Sequence, residues 1–121
     1  VLDGVYAALD DVVRSVTTKY FIPNYLVDWG KILAEPVIGS AIEHIQPAVW
    51  IADVPQPILI LHGSNDHLVP VASSSTLFAR ARAGKRLHIY SGTHDSPGNL
   101  EMQEQVVTFF NQQLGSGSEA R

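Results

Sequence analysis

The sequence predicts an α/β fold, with parallel strands, flanking helices and a helical N-terminal half. The segment PILILHG at residues 57–63 is a continuous apolar run with the length of a strand buried on both faces, as in parallel sheets. A helical pattern and a second strand-like segment, KRLHIYS at residues 85–91, follow it. Strand, helix, strand and helix joined by short connections favour a right-handed parallel βαβ unit.

The length, composition and net charge of the chain exclude several classes of protein. The chain has 121 residues, 45% of them hydrophobic, which is enough for the core of one domain. Its net charge is −4 and its eight Lys and Arg residues are scattered, so we expect neither a nucleic acid nor an anionic membrane as partner. The lack of cysteine excludes disulfides, thiolate zinc sites and a Cys nucleophile. No apolar run approaches the ~20 residues that span a bilayer.

The N-terminal segment begins with a short strand and continues as a helix. VLDG at residues 1–4 has the pattern of a buried strand leaving a sheet. In YAALDDVVRSV, four apolar residues spaced three and four apart predict an amphipathic helix: Leu9, Val12, Val13 and Val16.

Prolines divide the next segment into short helices. NYLVDWGKILAE at residues 24–35 predicts a second helix with Asn24 as its N-cap, ended by Pro36 and Gly39.

A third short helix is predicted in SAIEHIQPAVW. Ser40 and Glu43 have the spacing of a capping box, and Pro47 is expected to end this helix. Residues 1–54 therefore predict the end of a strand followed by short helices, rather than a core of their own.

The second half supplies the rest of the core over residues 55–114. PVASSSTLFARARA at residues 70–83 predicts a helix opened by Pro70 and closed by Gly84. NLEMQEQVVTFFNQQL predicts the closing helix, and 115–121 a flexible tail. The face expected to be apolar in the closing helix comprises Leu100, Val106, Val107, Phe110 and Leu114.

Two polar residues follow the two predicted strands. Asp66 lies in the loop after the first strand, and His94 lies in the loop after the second. Carboxyl ends of parallel strands meet at one edge of a sheet, where reactive loops are placed. The 28 residues between them correspond to one helix, one strand and two turns, so we expect the side chains to meet. An imidazole exchanges protons near neutral pH when a carboxylate fixes its tautomer.

At these residues the chain resembles the C-terminal part of an α/β-hydrolase. PILILHGSNDHLVP resembles the family segment P-x-L-x-x-H-G-x-x-D-x-x-V-P, KRLHIYSGTHDS resembles the last strand with its histidine loop, and VVTFFNQQL resembles the closing helix. The resemblance covers residues 54–114. It implies that Asp66 is the acid and His94 the base of a catalytic triad, and that residues 6–54 belong to the lid and the helix leading back to the sheet.

The nucleophile of that family is missing from the sequence. The G-x-S-x-G elbow should precede both the acid and the histidine, and no such pattern occurs. The chain also starts at Val1, and its only methionine is Met102. We therefore expect an upstream half, or a second chain, to carry the serine and the oxyanion donors.

These observations predict the C-terminal part of a serine hydrolase that cleaves an ester, thioester or amide by acyl transfer. Such an enzyme needs neither a cofactor nor a metal ion, and the isolated chain should be inactive. The compartment stays open, as does the identity of the small-molecule substrate. The alternative is a non-catalytic, hydrolase-like interaction domain.

Simpler roles exist for the residues singled out. Asp66 could cap the helix that begins at Pro70 or organise a turn, and His94 could be a loop histidine paired with Asp95. His62, at a strand end, is interpreted as a packing or supporting residue, and His67 as a surface residue. His62, Asp66, His67 and His94 include zinc-ligand types but lack zinc-site spacing.

Three aromatic residues of the first half allow two interpretations. Tyr6, Tyr25 and Trp29 could line an acyl or leaving-group pocket if that half is a lid. Helix-spaced aromatic residues more often belong to a core, so no site role is assigned to them.

Overall fold

The computed structural model describes residues 1–82, 84–94, 96 and 98–115. It contains a three-stranded parallel sheet with helices on both faces, which confirms the predicted α/β class. The elements are β1 (Leu2–Asp3), α1 (Leu9–Lys19), α2 (Asn24–Ile38), α3 (Pro47–Trp50), β2 (Ile58–Gly63), α4 (Val71–Arg80), β3 (Lys85–Tyr90) and α5 (Leu100–Gly115). Short 3₁₀ helices lie at Ile42–His44 and Ile51–Asp53.

The central strand is β2, which pairs in parallel with β1 on one side and β3 on the other. Leu2 is opposite Ile60, and Ile58 is opposite Lys85. Every residue of β2 is buried, as its continuous apolar sequence predicts. The helix α4 connects the parallel strands β2 and β3, so the predicted strand–helix–strand order is confirmed.

The core has two parts, one on each face of the sheet. On one face, Ile58 and Ile60 pack with apolar residues of α3, α4 and the neighbouring loops. On the other face, Leu59 and Leu61 pack with Tyr90 and with Phe109 of α5. Complete burial of each of these aliphatic side chains contributes about 1.5–3 kcal/mol. The sheet is therefore fixed from both sides, which holds the loops at its carboxyl edge.

The prediction for the ends of α2 was wrong in two respects. Pro23 occupies the N-cap position, while Asn24 is already the first helical residue and forms no side-chain cap. The helix also continues through Pro36 to Ile38, and Gly39, whose φ is +76°, is its C-cap. Pro36 lies in the last turn, where its missing N–H removes one backbone hydrogen bond. The helix therefore extends as far as its C-cap, Gly39, since glycine adopts the left-handed conformation readily.

The predicted capping box is absent as well. The Ser40 hydroxyl donates to the carbonyl of Ala41, and the Glu43 carboxylate binds Lys31. The ion pair with a buried ammonium replaces the local cap. Pro47 begins α3 rather than ending a helix, because its fixed φ suits the first turn.

Lys31 of α2 forms ion pairs with two neighbouring N-terminal elements. Its side chain is only 8% exposed, and its Nζ lies 2.6 Å from both Asp10 Oδ1 and Glu43 Oε1. These contacts join α2 to α1 and to the Ile42–His44 turn. The hydrogen bonds that Lys31 donates to the two carboxylates raise its pKa, because they stabilise the charged ammonium.

The C-terminal helices also differ in detail from the prediction. Pro70 is the N-cap of α4, which ends at Arg80, while Ala83 lies outside the described residues. In α5 the buried residue is Phe109, with Met102 and Val106 beside it. Of the five residues expected on the apolar face, only Val106 packs there, and four are exposed: Leu100, Val107, Phe110 and Leu114. The tail at 116–121 lies outside the described residues.

The predicted apolar stripe of α1 is only partly buried, and α2 exposes much of its apolar surface. Tyr25 and Trp29 are each 64% exposed, so these two aromatic residues are not part of the core. Leu33 and Val37 continue the same exposed side of α2. Within the described residues, no helix is both long enough and apolar enough to cross a bilayer.

Candidate active site

Two loops leave the sheet at the same edge and are joined to each other by backbone hydrogen bonds. The loop after β2 donates from Ser64 N to Tyr90 O at 2.8 Å and from Asn65 N to Gly92 O at 2.9 Å. Because β2 and β3 are parallel, their carboxyl ends bring these loops side by side. The arrangement continues the strand pairing past β2 and places the polar residues of one loop against those of the other.

Asp66 and His94 meet at this edge, as their spacing predicts. His94 Nδ1 lies 2.8 Å from Asp66 Oδ2. The Asp66 side chain has no exposed surface, whereas the His94 ring is 33% exposed. A buried carboxylate therefore holds an imidazole that solvent can reach.

The turn around Asp66 keeps its carboxylate ionised. Oδ1 accepts hydrogen bonds from Leu68 N at 2.8 Å and from Val69 N at 2.9 Å. Burial acts to raise the pKa of Asp66, but the hydrogen bonds from Val69, His94 and Leu68 act the other way and hold that pKa below its ordinary value. Asp66 thus organises the turn before α4 and also binds His94, but it does not cap α4, whose N-cap residue is Pro70.

The backbone of Gly4 packs closely against the His94 ring. Its N–H donates to Leu61 O at 3.1 Å at the end of β1, and its φ is +58°. A Cβ added at this position would lie 3.0 Å from both Cε1 and Nδ1 of His94. Only glycine gives this backbone both its conformation and its close approach to the ring. Sequence reasoning missed this role, for which the sole signal was a glycine after the first strand.

Gly63 performs a related function at the end of β2. A Cβ there would lie 2.5 Å from Gly92 O and 2.6 Å from Thr93 O. The two loop backbones can approach this closely only because residue 63 has no side chain.

His62 lies behind the pair and is fully buried. Its Nε2 lies 3.1 Å from Val69 O and 3.3 Å from Asp66 Oδ2, while its Nδ1 hydrogen-bonds with Ser74 of α4. His67 is exposed, in accordance with the surface role predicted for it. Asp95, considered above as a partner of His94, lies outside the described residues.

An open pocket of about 290 Å³ lies beside His94. It is lined by Val16, Lys19, Tyr20, His67, Leu68, Thr93 and His94. The end of α1 thus forms one wall, opposite the loops that follow β2 and β3. A larger hollow of about 490 Å³ lies between α1 and the start of α4 and includes neither Asp66 nor His94 in its lining.

The pocket lining has a restricted chemistry. Among the described residues it includes no serine, and the whole sequence has no cysteine. Among the residues that the structure describes, no group of three or more His, Asp or Glu could hold a metal ion. The arrangement can therefore exchange a proton through His94, with Asp66 stabilising the imidazolium, but it presents no serine or thiol nucleophile in the described lining.

Comparison with known proteins adds no family assignment to this geometry. No protein-family model matches the chain, and no match was found among curated proteins.

Proposed function

We propose that this chain provides the acid and the base of a serine hydrolase of the α/β-hydrolase type, which cleaves an ester, thioester or amide. The observation that supports this proposal best is the 2.8 Å contact between His94 Nδ1 and the buried Asp66 carboxylate. The pair lies beyond the carboxyl ends of two adjacent parallel strands, where open sheets place their reactive groups.

The proposed chemistry is acyl transfer. With Nδ1 bound to Asp66, proton transfer falls to Nε2 of His94. Nε2 takes the proton of a serine hydroxyl as the serine oxygen attacks the carbonyl carbon, and it then returns that proton to the leaving group. The resulting acyl-enzyme is hydrolysed by water, with His94 again accepting and returning the proton. Asp66 stays ionised and stabilises the imidazolium in both steps.

The nucleophile, in this proposal, comes from outside these 121 residues. No G-x-S-x-G segment occurs in the sequence, and no serine is among the described residues that line the pocket beside His94. An upstream part of the same protein or a second chain would supply the serine and the backbone N–H groups that bind the oxyanion. The reaction needs no cofactor.

A fluorophosphonate probe tests this proposal on a protein that joins the chain to its upstream sequence. We expect labelling of a serine in that upstream part, lost in His94→Ala and retained in His67→Ala, because His67 lines the same pocket without binding Asp66. Asp66→Asn should lower the labelling rate by roughly 10⁴-fold, the effect of that change in a Ser-His-Asp triad. Undiminished labelling of His94→Ala would refute the role of His94.

A second experiment tests the origin of the nucleophile. We expect the isolated 121-residue chain to leave the probe and activated esters unreacted. Labelling of one of its own serines, abolished by substituting that serine, would contradict an external nucleophile.

A binding role without chemistry is the second candidate. The exposed apolar side chains along α2 favour it, since Tyr25, Trp29, Leu33 and Val37 offer a surface to another protein. Upstream sequence without a G-x-S-x-G segment, together with no probe labelling, would favour this role over hydrolysis.

A further inference from the structure

His62 is a buried titratable residue that the proposed acyl transfer does not use. Its ring has no exposed surface and lies between Asp66 and Ser74, which is also fully buried. Burying two polar side chains together costs free energy unless their hydrogen bonds are satisfied. Their arrangement therefore defines where the ring proton of His62 must be.

The proton of the ring is on Nε2. This atom lies 3.1 Å from the carbonyl oxygen of Val69, and a carbonyl can only accept a hydrogen bond. The next oxygen, Asp66 Oδ2 at 3.3 Å, is likewise an acceptor. A lone pair on Nε2 would face two oxygen atoms and be repelled by both.

Ser74 makes the other ring nitrogen an acceptor. Within the described part of the chain, its hydroxyl has no hydrogen-bond partner other than His62 Nδ1. The hydroxyl therefore donates to Nδ1, because otherwise a buried O–H group would stay unsatisfied. His62 is accordingly a neutral imidazole whose tautomer is fixed by α4.

The backbone of Val69 connects His62 to Asp66 through its carbonyl and its N–H group. The Val69 carbonyl accepts from His62 Nε2, while the Val69 N–H donates to Asp66 Oδ1 at 2.9 Å. The positive end of the His62 N–H bond also lies close to Oδ2, the carboxylate oxygen that binds His94. Loss of this N–H would release the Val69 segment and remove a favourable dipole from the carboxylate.

We propose that His62 is a positioning residue for the acid–base pair, acting as a neutral imidazole whose Nε2–H holds Val69 and thereby the Asp66 carboxylate. The inference rests on the proposed function for the role of Asp66, but its test does not, because it reads Asp66 and His62 directly in the 121-residue chain. Failure of probe labelling would contradict the hydrolase and leave these measurements unchanged.

Two substitutions of His62 distinguish the role of Nε2 from that of Nδ1. The amide of His62→Gln reaches the position of Nε2 and can donate to Val69 O, whereas the amide of His62→Asn reaches only the position of Nδ1 and its bond to Ser74. We expect the Asp66 pKa, followed by carboxyl-carbon NMR, to rise in His62→Asn, because hydrogen-bond donation to a carboxylate lowers its pKa. His62→Gln should keep it near the wild-type value.

Three results would overturn the inference. The Asp66 pKa could be unchanged in His62→Asn, or it could rise equally in both variants, which would leave His62 with a packing role alone. The third result comes from the wild-type chain, whose long-range ¹H–¹⁵N NMR spectrum distinguishes protonated from unprotonated ring nitrogens. We expect a proton on Nε2 only; a proton on Nδ1 refutes the assignment, and this spectrum decides the matter if neither variant folds.

Discussion

His94 Nδ1 lies 2.8 Å from Asp66 Oδ2, although the two residues are 28 positions apart in the chain. The parallel pairing of β2 and β3 brings their loops to one edge, and the backbone hydrogen bond from Asn65 to Gly92 holds the loops together. The geometry of the pair therefore depends on glycines and on backbone contacts as much as on the two side chains.

Gly4→Ala should break the contact between His94 and Asp66. An added Cβ would lie 3.0 Å from His94 Nδ1, and the residue would also adopt φ of +58°. Gly39→Ala is the matched control, since Gly39 has φ of +76° and no atom within 4 Å of an added Cβ. We expect both variants to lose about 1–2 kcal/mol of unfolding free energy from backbone strain.

Only Gly4→Ala should also lose the downfield proton resonance of the His94 Nδ1–H group bound to the carboxylate. Urea unfolding and one-dimensional proton NMR measure the two effects separately. A Gly4→Ala protein that keeps this resonance would show that the ring tolerates a side chain at position 4.

Gly63→Ala should destabilise the protein more than most substitutions to alanine. Its Cβ would meet backbone oxygen atoms at 2.5 Å and 2.6 Å, and a backbone has less freedom to move than a side chain. We expect a loss of about 2–3 kcal/mol, in the upper part of the usual range of about 1–3 kcal/mol for overpacking. Gly30→Ala in α2 has open space around the added methyl group and should gain about 0.5–1 kcal/mol instead. Equal stabilities of the two variants in urea unfolding would contradict this account.

The stabilising effect of Asp66 should fade in acid. The folded state holds the Asp66 pKa below its ordinary value near 3.9, so the folded chain binds fewer protons than the unfolded chain as pH falls through that range. Its contribution is therefore complete above about pH 4 to 5 and is lost as pH falls through the folded-state pKa.

A comparison of wild type with Asp66→Asn by urea unfolding between pH 3 and 5 measures this contribution. The difference in unfolding free energy should be largest at pH 5 and shrink toward pH 3. Asp10 and Glu43, whose pKa values are lowered mainly by hydrogen bonds from Lys31, are present in both proteins and cancel in the difference. A difference that is constant with pH would contradict the ionised state of Asp66.

Lys31→Met should loosen the N-terminal helices. The change removes the ammonium that binds Asp10 and Glu43, and we expect a loss of about 1–2 kcal/mol, since these are hydrogen bonds to charged groups with partners that are partly exposed. Lys19→Met removes the same charge from an exposed lysine that has no carboxylate partner within the described residues, and should change stability by about 0.5 kcal/mol at most. Similar unfolding midpoints for the two variants would show that the Lys31 contacts are not stabilising.

The central strand and the meeting of Asp66 with His94 could be predicted from the sequence, because their signals are local. The short apolar run 58–61, bounded by Pro57 and Gly63, favours a buried strand, and a parallel strand fixes which edge its loop reaches. The spacing of Asp66 and His94 then decides that they are neighbours. Their catalytic role and the domain boundaries stay predictions.

Several of the errors concern residues whose partners are distant in sequence. Glu43 has the spacing of a cap, yet the ammonium of Lys31 competes for its carboxylate. Phe109 and Phe110 are chemically equivalent, and only the position of α5 on the sheet decides that Phe109 is buried. Gly4 carries no sign of His94, which lies 90 positions later and reaches it through the fold.

The pairing of β1 with β2 has a consequence for the order in which the chain folds. Leu2 pairs with Ile60, 58 positions later, whereas Ile58 pairs with Lys85 after only 27 positions. Closing the longer loop costs roughly 0.6 kcal/mol more chain entropy, and only two residues of β1 compensate for it. We expect β1 to join the sheet last and to exchange its amide protons first. Because Gly4 follows β1 directly, the histidine would become rigid only in this final step.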